Sequence, residues 1–283
     1  MLNLQNRFVT SIFEMYRKKK DLQKRYEGFL QTKTLWKTSL FGLHQFNLNT
    51  ISQRITIDID ENQRLGKYVE ELVFYQIEQT KDVKILEKNI QIQSDKLTIG
   101  EIDCLLSLPN ETIHLEIVYK FYLYDETVGN TEIENCIGPN RKDSLIEKLT
   151  KLKEKQLPLL YSDECKPYLS DLYLDAKNIN QKVYFKTQLF LPYSNQQIKL
   201  SILNEDCVVG YYINQIELMQ FKDCKFYVPI KKDWLVLPHT KVNWINFSEF
   251  LLISNNFLER KFSPLVWIKK PNGEIGKLFL VWW

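Results

Sequence analysis

The feature that most constrains the fold of this chain is a β-hairpin signal in residues 98–122. Two segments rich in β-branched and aromatic residues flank Pro109 and Asn110, which both favour a tight turn. Side chains alternate between the two faces of each strand. A turn centred between Pro109 and Asn110 therefore predicts that Asp103 lies directly opposite Glu116.

Two carboxylates that face each other across a strand pair repel and destabilise the sheet. A divalent cation relieves this repulsion, because hard cations such as Mg²⁺ and Mn²⁺ bind carboxylate oxygens. Lys120 lies further along the same face as Glu116. Acids that hold a metal, water that the metal activates and an amine that stabilises negative charge are what phosphodiester hydrolysis requires. The pattern favours Asp103, Glu116 and Lys120 as a catalytic set, and the solvated face of an ordinary hairpin is the alternative.

Composition disfavours several other kinds of site. The chain has 283 residues, 44% of them apolar, which is typical of a globular protein with one large or two modest domains. A net charge of +3 neither requires nor excludes a local basic groove. Three histidines are too few for a histidine-rich centre. Five dispersed cysteines indicate neither a disulfide framework nor a zinc ribbon, and are typical of a reducing compartment.

The N-terminal region predicts a helix and no targeting signal. An apolar stripe at helical spacing predicts a helix over residues 3–31. Its basic residues, a run at 17–20 followed by Lys24 and Arg25, either meet phosphates or cover a solvated helix face. The first residues lack the apolar core of a secretory signal, and no run approaches the ~18 apolar residues of a membrane span. We therefore expect a cytoplasmic protein with no membrane partner.

Three elements are predicted between this region and the hairpin. Alternating isoleucines at 55, 57 and 59 predict a short strand. Residues 65–80 have the periodicity of an amphipathic helix, in which Glu70 lies beside the apolar stripe. Residues 83–92 predict a strand that leads into the hairpin.

A helix is predicted after the hairpin, from Asn140, whose side chain can cap it, to about Gln156. Leucines at 145, 149 and 152 form its buried stripe, and Lys148 and Gln156 fall on the same stripe. Polar side chains on a core-facing stripe need partners. Lys148 and Gln156 are therefore either satisfied within the core or line an active-site groove.

Residues 193–283 have short alternating runs of Tyr, Phe, Val and Trp, which predict a β-rich extension. Its turn at 271–274, with the sequence PNGE, predicts a hairpin. A strand at 184–191 precedes it. The chain is thus predicted to be an α/β protein with a helical segment (1–54), a core (55–192) and a β-rich extension (193–283). Within the extension we predict strands at 207–216, 224–230, 234–238, 263–270 and 277–283, and a short helix at 247–256.

The order of these elements resembles the PD-(D/E)XK nuclease superfamily, which has the restriction-endonuclease-like fold. The segment GEID (100–103) followed by IHLEI (113–117) is similar to the second and third motifs of that superfamily. The resemblance implies a central mixed sheet flanked by helices. Four segments together resemble one uncharacterised bacterial domain-of-unknown-function family assigned to the superfamily: LGKYVE (65–70), GEID, HLEIVYKFYL (114–123) and GPNRKDSLIEKL (138–149).

The resemblance also implies roles for individual residues. Asp103 and Glu116 would bind the metal ion, Mg²⁺ or Mn²⁺, and Glu70 would add a second or water-mediated metal contact. Lys120 would be the motif lysine, although the superfamily usually places this lysine two residues after the acid, where this chain has Val118.

Lys148 and Gln156 would match the helix residues that face the scissile phosphate. The expected function is then metal-dependent hydrolysis of phosphodiester bonds, with DNA favoured over RNA as the substrate. A second interpretation is a nuclease-like fold without catalysis, which binds nucleic acid or a protein partner through the same helix face and the aromatic C-terminal residues. A plain scaffold without affinity for nucleic acid is the third.

Overall fold

The structure, a computed structural model, describes residues 21–48 and 53–283 of the chain. Within these ranges the protein is an α/β fold in which a large mixed sheet lies between helices. The strands are β1 (Ser39–Leu40), β2 (Leu43–His44), β3 (Lys84–Ser94), β4 (Leu97–Leu108), β5 (Glu111–Tyr124), β6 (Cys136–Ile137), β7 (Ile179–Pro192), β8 (Val208–Ile213), β9 (Lys225–Tyr227), β10 (Leu265–Lys269) and β11 (Ile275–Leu280).

The described residues also form several helices, and one of them continues into other kinds of helical turn. The α3 helix continues directly into a π-helical turn (Leu152–Gln156) and a 3-10 turn (Leu157–Tyr161). A further 3-10 turn spans Lys231–Leu235. The α-helices are α1 (21–31), α2 (Leu65–Glu78), α3 (Leu145–Lys151), α4 (Lys166–Asp171) and α5 (Phe247–Glu259).

The main sheet has the strand order β3-β4-β5-β7-β8-β11-β10-β9, and β6 pairs with one end of β5. The four central strands β5, β7, β8 and β11 run parallel to one another. All other strand pairs of the sheet are antiparallel. Strands from the predicted core and from the predicted extension therefore lie in one sheet. The division of the chain at residues 54 and 192 stays a prediction.

Alternating side chains of β5 divide the core between the two faces of the sheet. Ile117 packs with the buried stripe of α2, and its neighbour Val118 packs with the leucines of α3. The α5 helix adds Phe250 to a further cluster, which covers β10 and β11. Helices consequently cover both faces, and the polar side chains of the candidate site lie where α2 and α3 approach the end of β4.

Most predicted elements are confirmed. The helix predicted at 65–80 is α2, the strand at 83–92 is β3, the strand at 184–191 lies within β7 and the helix at 247–256 lies within α5. The PNGE turn joins β10 to β11, with Gly273 at a φ of +87°. All five cysteines are buried and free, as the sequence indicates.

Two predicted strands are wrong. Residues 53–60 have no regular secondary structure, although Ile55 is buried and Ile57 and Ile59 pack against the α2 core. Their alternation reflects burial of every second side chain without a pairing strand. Residues 234–238 also form no strand, because Trp234 ends up buried within the 3-10 turn Lys231–Leu235. A short continuous apolar run does not distinguish a strand from a buried turn.

The start of α3 also differs from the prediction. Ser144, rather than Asn140, caps the helix by accepting a hydrogen bond from the backbone N–H of Glu147. Asn140 instead accepts a hydrogen bond from the backbone N–H of Ser263 at 2.7 Å. The loop before α3 is thereby attached to the C-terminal part of the sheet.

The N-terminal helix prediction is confirmed only for residues 21–31, and the basic run at 17–20 lies outside the described residues. Arg25, within the described helix, is buried in ion pairs with Glu61 and Asp233 and is not a phosphate contact. Every helix in the described ranges is too short or too polar to cross a bilayer.

Candidate functional site

The site forms where β4 and β5 separate. The predicted hairpin register is confirmed from Cys104, which pairs with Leu115, to the turn. The ladder stops there, one pair before Asp103 and Glu116 would meet. The backbone N–H of Ile117 then donates to Oδ2 of Asp103 at 2.7 Å. An acid side chain thus replaces the backbone partner that a buried N–H requires, and the separating strands leave room for a cleft.

Three carboxylates converge in this cleft. One oxygen from each of Glu70, Glu101 and Asp103 lies within 4.8 Å of the other two. Glu101 and Asp103 belong to β4, and Glu70 reaches them from α2. The cleft has a volume of about 370 Å³. Besides these acids, it is lined by Lys67, Ile99, Gly100, Lys151, Lys155, Gln156 and Leu159.

Lys67 lies among these acids. Its ammonium donates to Oε2 of Glu70 at 2.7 Å, to Oε1 of Glu101, and to Oδ1 of Asn89 at 3.2 Å. Burial disfavours its charge, but the bonds to Glu101 and Glu70 outweigh burial and raise the pKa of Lys67 to about 12. Gln91 donates to the other oxygen of Glu101. The cluster therefore contains one ammonium for three carboxylates.

Glu116 is fully buried behind the cleft and has a donor on each oxygen. The Nε2 atom of His114 lies 3.0 Å from Oε1, and Nε2 of Gln156 donates to Oε2 at 2.6 Å. The amide of Gln181 lies 3.0 Å from Nδ1 of His114, so the ring accepts there and carries its proton on Nε2. Burial lowers the pKa of His114 to about 4, which keeps the imidazole neutral.

Lys148 is linked to Glu116 through Gln156. The ammonium of Lys148 donates to Oε1 of Gln156 at 2.6 Å, and the amide of Gln156 donates onward to Glu116. The π turn makes this link possible, since its extra residue per turn rotates Gln156 back towards the face of Lys148. Burial lowers the pKa of Lys148, while the charges of Glu116 and Asp103 oppose that effect.

The acids of the site hold their protons more tightly than usual. Burial, and then the charge of Glu116, raise the pKa of Asp103 to about 7. Burial likewise raises the pKa of Glu70 to about 7 and raises the pKa of Glu116. The cleft therefore has negative charge that the surrounding protein only partly compensates. A bound divalent cation compensates such charge directly and lowers the pKa of the carboxyls that bind it.

Lys120 does not line the cleft. It is four residues beyond Glu116 on β5, and its ammonium forms an ion pair with Asp143 in the loop before α3. The structure thus gathers five of the six predicted site residues and places Lys120 in a different contact. The five are Glu70, Asp103, Glu116, Lys148 and Gln156. Their catalytic and binding roles stay predictions.

Sequence reasoning missed Glu101, Lys67 and the neutral His114. Glu101 had a clear signal, because it shares a strand face with Asp103 two residues away. Lys67 had only a weak signal, its position three residues before Glu70 on a helix, which is the spacing of an ordinary surface ion pair. His114 also shares a face with Glu116, but its neutral state depends on Gln181, a partner from β7.

The donor set suits a hard divalent cation. Asp103 is only 8% exposed, and no donor from the described residues contacts its second oxygen, Oδ1. Carboxylate oxygens are the ligands that Mg²⁺ and Mn²⁺ prefer. Glu116 fits less directly as a ligand, because both of its oxygens already accept hydrogen bonds.

Comparisons with known proteins give a family and no activity. The family model described as Domain of unknown function (DUF1853) matches residues 22–274. Neither the curated proteins nor the solved structures include a match to the chain. Because the family match covers most of the sequence, the chain belongs to the DUF1853 family of domains of unknown function.

Proposed function

We propose that this protein is a metal-dependent nuclease that hydrolyses phosphodiester bonds of nucleic acid, DNA more than RNA, on a restriction-endonuclease-like core. One observation carries the proposal: the carboxylates of Glu70, Glu101 and Asp103 converge in a cleft next to the linked side chains of Lys148, Gln156 and Glu116. Acids clustered beside a half-buried lysine are the arrangement that phosphodiester hydrolysis uses.

Glu70, Glu101 and Asp103 would hold Mg²⁺ or Mn²⁺. A divalent cation there would supply Lewis-acid stabilisation and a water of lowered pKa. Glu116, which the superfamily resemblance makes a ligand, adds a buried negative charge next to Asp103. Hydrogen bonds from His114 and Gln156 hold the carboxylate of Glu116 in one orientation. We therefore assign Glu116 a positioning role, in which it helps to orient the acidic pair of Asp103 and Glu116.

Lys148 is the better candidate for the lysine of the reaction. Its charge acts on both Glu116 and Asp103, whereas Lys120 is paired with Asp143. A fixed ammonium beside the reacting phosphate stabilises the negative charge that develops on its oxygens. Gln156 would position that ammonium. Lys151 and Lys155, which line the cleft, would contact neighbouring phosphates of the substrate.

The test compares cleavage of DNA and RNA with Mg²⁺, Mn²⁺ or EDTA by wild-type protein and four variants. We expect divalent-dependent cleavage that D103A and E116A abolish. We expect K148M to lower the rate at least 100-fold, about the loss that removal of one transition-state contact causes. K120M, the matched lysine variant, should stay within about threefold of wild type, since its ammonium lies at Asp143. A larger loss in K120M than in K148M would return the role to Lys120.

A second candidate is a module with the same fold that binds nucleic acid or a protein partner and does not cleave. Two observations favour it: the usual lysine position of the superfamily is the uncharged Val118, and the ammonium of Lys120 is paired with Asp143. Binding of nucleic acid that weakens steeply with salt, together with no cleavage at any Mg²⁺ or Mn²⁺ concentration, would favour it over the nuclease.

A further inference from the structure

The ammonium of Lys67 lies among the acids, at the position that a metal ion bound by these acids would normally occupy. Its ammonium bridges Oε2 of Glu70 and Oε1 of Glu101, which are two of the three carboxylates that converge in the cleft. A cation bound by the same three carboxylates competes for the same oxygens. One positive charge at this position compensates only part of the negative charge of three acids.

We infer that Lys67 is a tethered cation that a divalent metal ion replaces when it enters the acidic cleft. The inference rests on the proposed metal site and adds a residue to it. In the metal-free protein, Lys67 would hold Glu70 and Glu101 together against their mutual repulsion. Metal entry would break the two ion pairs and release the ammonium into the cleft.

The exposure of Lys67 allows this exchange. Its side chain is 45% exposed, whereas the ion-paired Arg25 is 5% exposed and fixed by partners on several sides. A lysine ammonium on a flexible four-carbon stem can change partners without moving the backbone. Each ion pair of such a half-exposed lysine contributes little to stability, so its loss costs little compared with metal coordination by three carboxylates.

The released ammonium would not leave the site. Lys67 lines the same cleft as Lys151 and Lys155. A phosphate that approaches the metal would therefore meet the ammonium of Lys67, in addition to those of Lys151 and Lys155, once the exchange has occurred. Metal binding and phosphate binding are coupled in this scheme, because the first ligand frees a contact for the second.

Mn²⁺ binding by the full chain tests the inference without any activity assay. Free Mn²⁺ is followed by electron paramagnetic resonance in titrations of wild type, K67M, K67R, K151M and D103N, the last of which removes a charged ligand. K67M keeps the length of the side chain and removes the competing charge, so we expect at least tenfold tighter binding than wild type. K151M removes a charge from the same cleft without breaking an ion pair to the acids, so we expect a change below threefold. K67R should bind no tighter than wild type.

Thermal denaturation gives an independent readout. In EDTA at pH 8 we expect K67M to melt below wild type, because the acids lose their internal cation. In saturating Mn²⁺ we expect the melting temperature of K67M to rise by more than the melting temperature of wild type rises. The exchange would be overturned if K67M bound Mn²⁺ no more tightly than wild type, or if K151M increased the affinity as much as K67M. Loss of Mn²⁺ binding in D103N would in that case still support the metal site. Absence of Mn²⁺ binding in every variant would overturn both.

Discussion

Asp103 links the stability of the protein to the proposed metal site. It is buried, it replaces a backbone partner of Ile117, and its second oxygen has no donor from the described residues. The raised pKa means that the native protein keeps a proton on Asp103 up to about pH 7, whereas the unfolded chain loses it near its ordinary value of 3.8. The native state thus binds more protons in this interval, and stability falls as pH rises from about 4 to about 7.

The variant D103N tests this linkage. Asparagine cannot ionise, and its oxygen can still accept the N–H of Ile117. At pH 8 in EDTA we expect D103N to exceed wild type by about 4 kcal/mol in free energy of unfolding, because a pKa raised from 3.8 to about 7 corresponds to about 1.4 kcal/mol per unit. At pH 4 we expect the two proteins to have nearly equal stability. Urea denaturation at both pH values measures the difference, with D223N, at an exposed turn, as the control. A D103N protein less stable than wild type at pH 8 would contradict the prediction.

His114 should make the native protein less stable when the pH is low enough to protonate a free histidine. Its lowered pKa of about 4 means that the native protein resists the proton that the unfolded chain takes up near 6.5. Stability therefore falls as pH drops from about 6.5 towards 4. The measurement is the ¹⁵N chemical shift of the imidazole at pH 5.5, assigned by its loss in H114Q. We expect a neutral ring protonated on Nε2, and an imidazolium signal would refute the hydrogen-bond arrangement.

At this scale, local pattern predicts residues on one strand face and fails for contacts between elements. Asp103 and Glu116 were predictable because the turn fixes the register and the alternation fixes the face. The bridge from Lys67 to Glu101 joins a helix to a strand 34 residues later in the chain. Nothing in the spacing of either segment indicates that contact.

The element that positions Lys148 and Gln156 is one irregular helix. Its α3 part, capped by Ser144, presents Lys148, and its π turn presents Gln156 on the same face. The leucine stripe predicted both residues on one face, which the structure confirms. The π turn itself was not predictable, because an extra residue within one helical turn has no signature in a 3.6-residue period.

Alanine substitutions at two glycines, Gly66 and Gly138, should change the stability of the protein in opposite directions. A Cβ added at Gly66, near the exposed start of α2, would meet no atom within 4 Å. G66A should therefore raise the free energy of unfolding by about 0.5–1 kcal/mol, since alanine favours helix. A Cβ at Gly138 would lie 1.9 Å from Oδ1 of Asp143.

For G138A we accordingly expect a loss of about 1 kcal/mol, because the added Cβ would displace the carboxylate of Asp143 from its ion pair with Lys120 and would lie 3.2 Å from the backbone oxygen of Asp143. Denaturant unfolding of both variants at one pH makes the comparison. The opposite order of stabilities would show that Gly138 tolerates a side chain and that the loop is not tightly closed around Asp143.

The fold of the whole molecule depends on one continuous sheet, which contains strands from both the predicted core and the predicted extension. Composition changes beyond Pro192, where the sequence predicts a β-rich extension that completes the fold. The strand β8 nevertheless pairs with β7, and β11 pairs with β8, so the sheet continues without a break. Composition reports which residues a segment contains, and strand pairing across 193–283 depends on long-range contacts that composition does not encode.

Buried contacts tie the C-terminal region to the rest of the protein. Arg25 of α1 bonds Asp233 at 2.7 Å. Lys277 of β11, 5% exposed, donates to the side chain of Gln188 on β7 and to the backbone carbonyl of Trp234, each at 2.7 Å. Phe190 of β7 packs edge-on against an aromatic ring of β11. Removal of residues 193–283 would uncover all of these groups together with one edge of β7.

We therefore expect the full chain to unfold in one cooperative transition. Trp36 lies in the cluster with α3, and Trp267 lies in β10 at the far side of the sheet, so tryptophan fluorescence samples both regions. Denaturation curves from fluorescence and from far-UV circular dichroism should coincide. A truncated chain of residues 1–192 should aggregate or lack a cooperative transition, because β7 would present an unpaired, apolar edge. Two separate transitions in the full chain, or a truncated chain that folds cooperatively, would instead establish residues 193–283 as an independent unit.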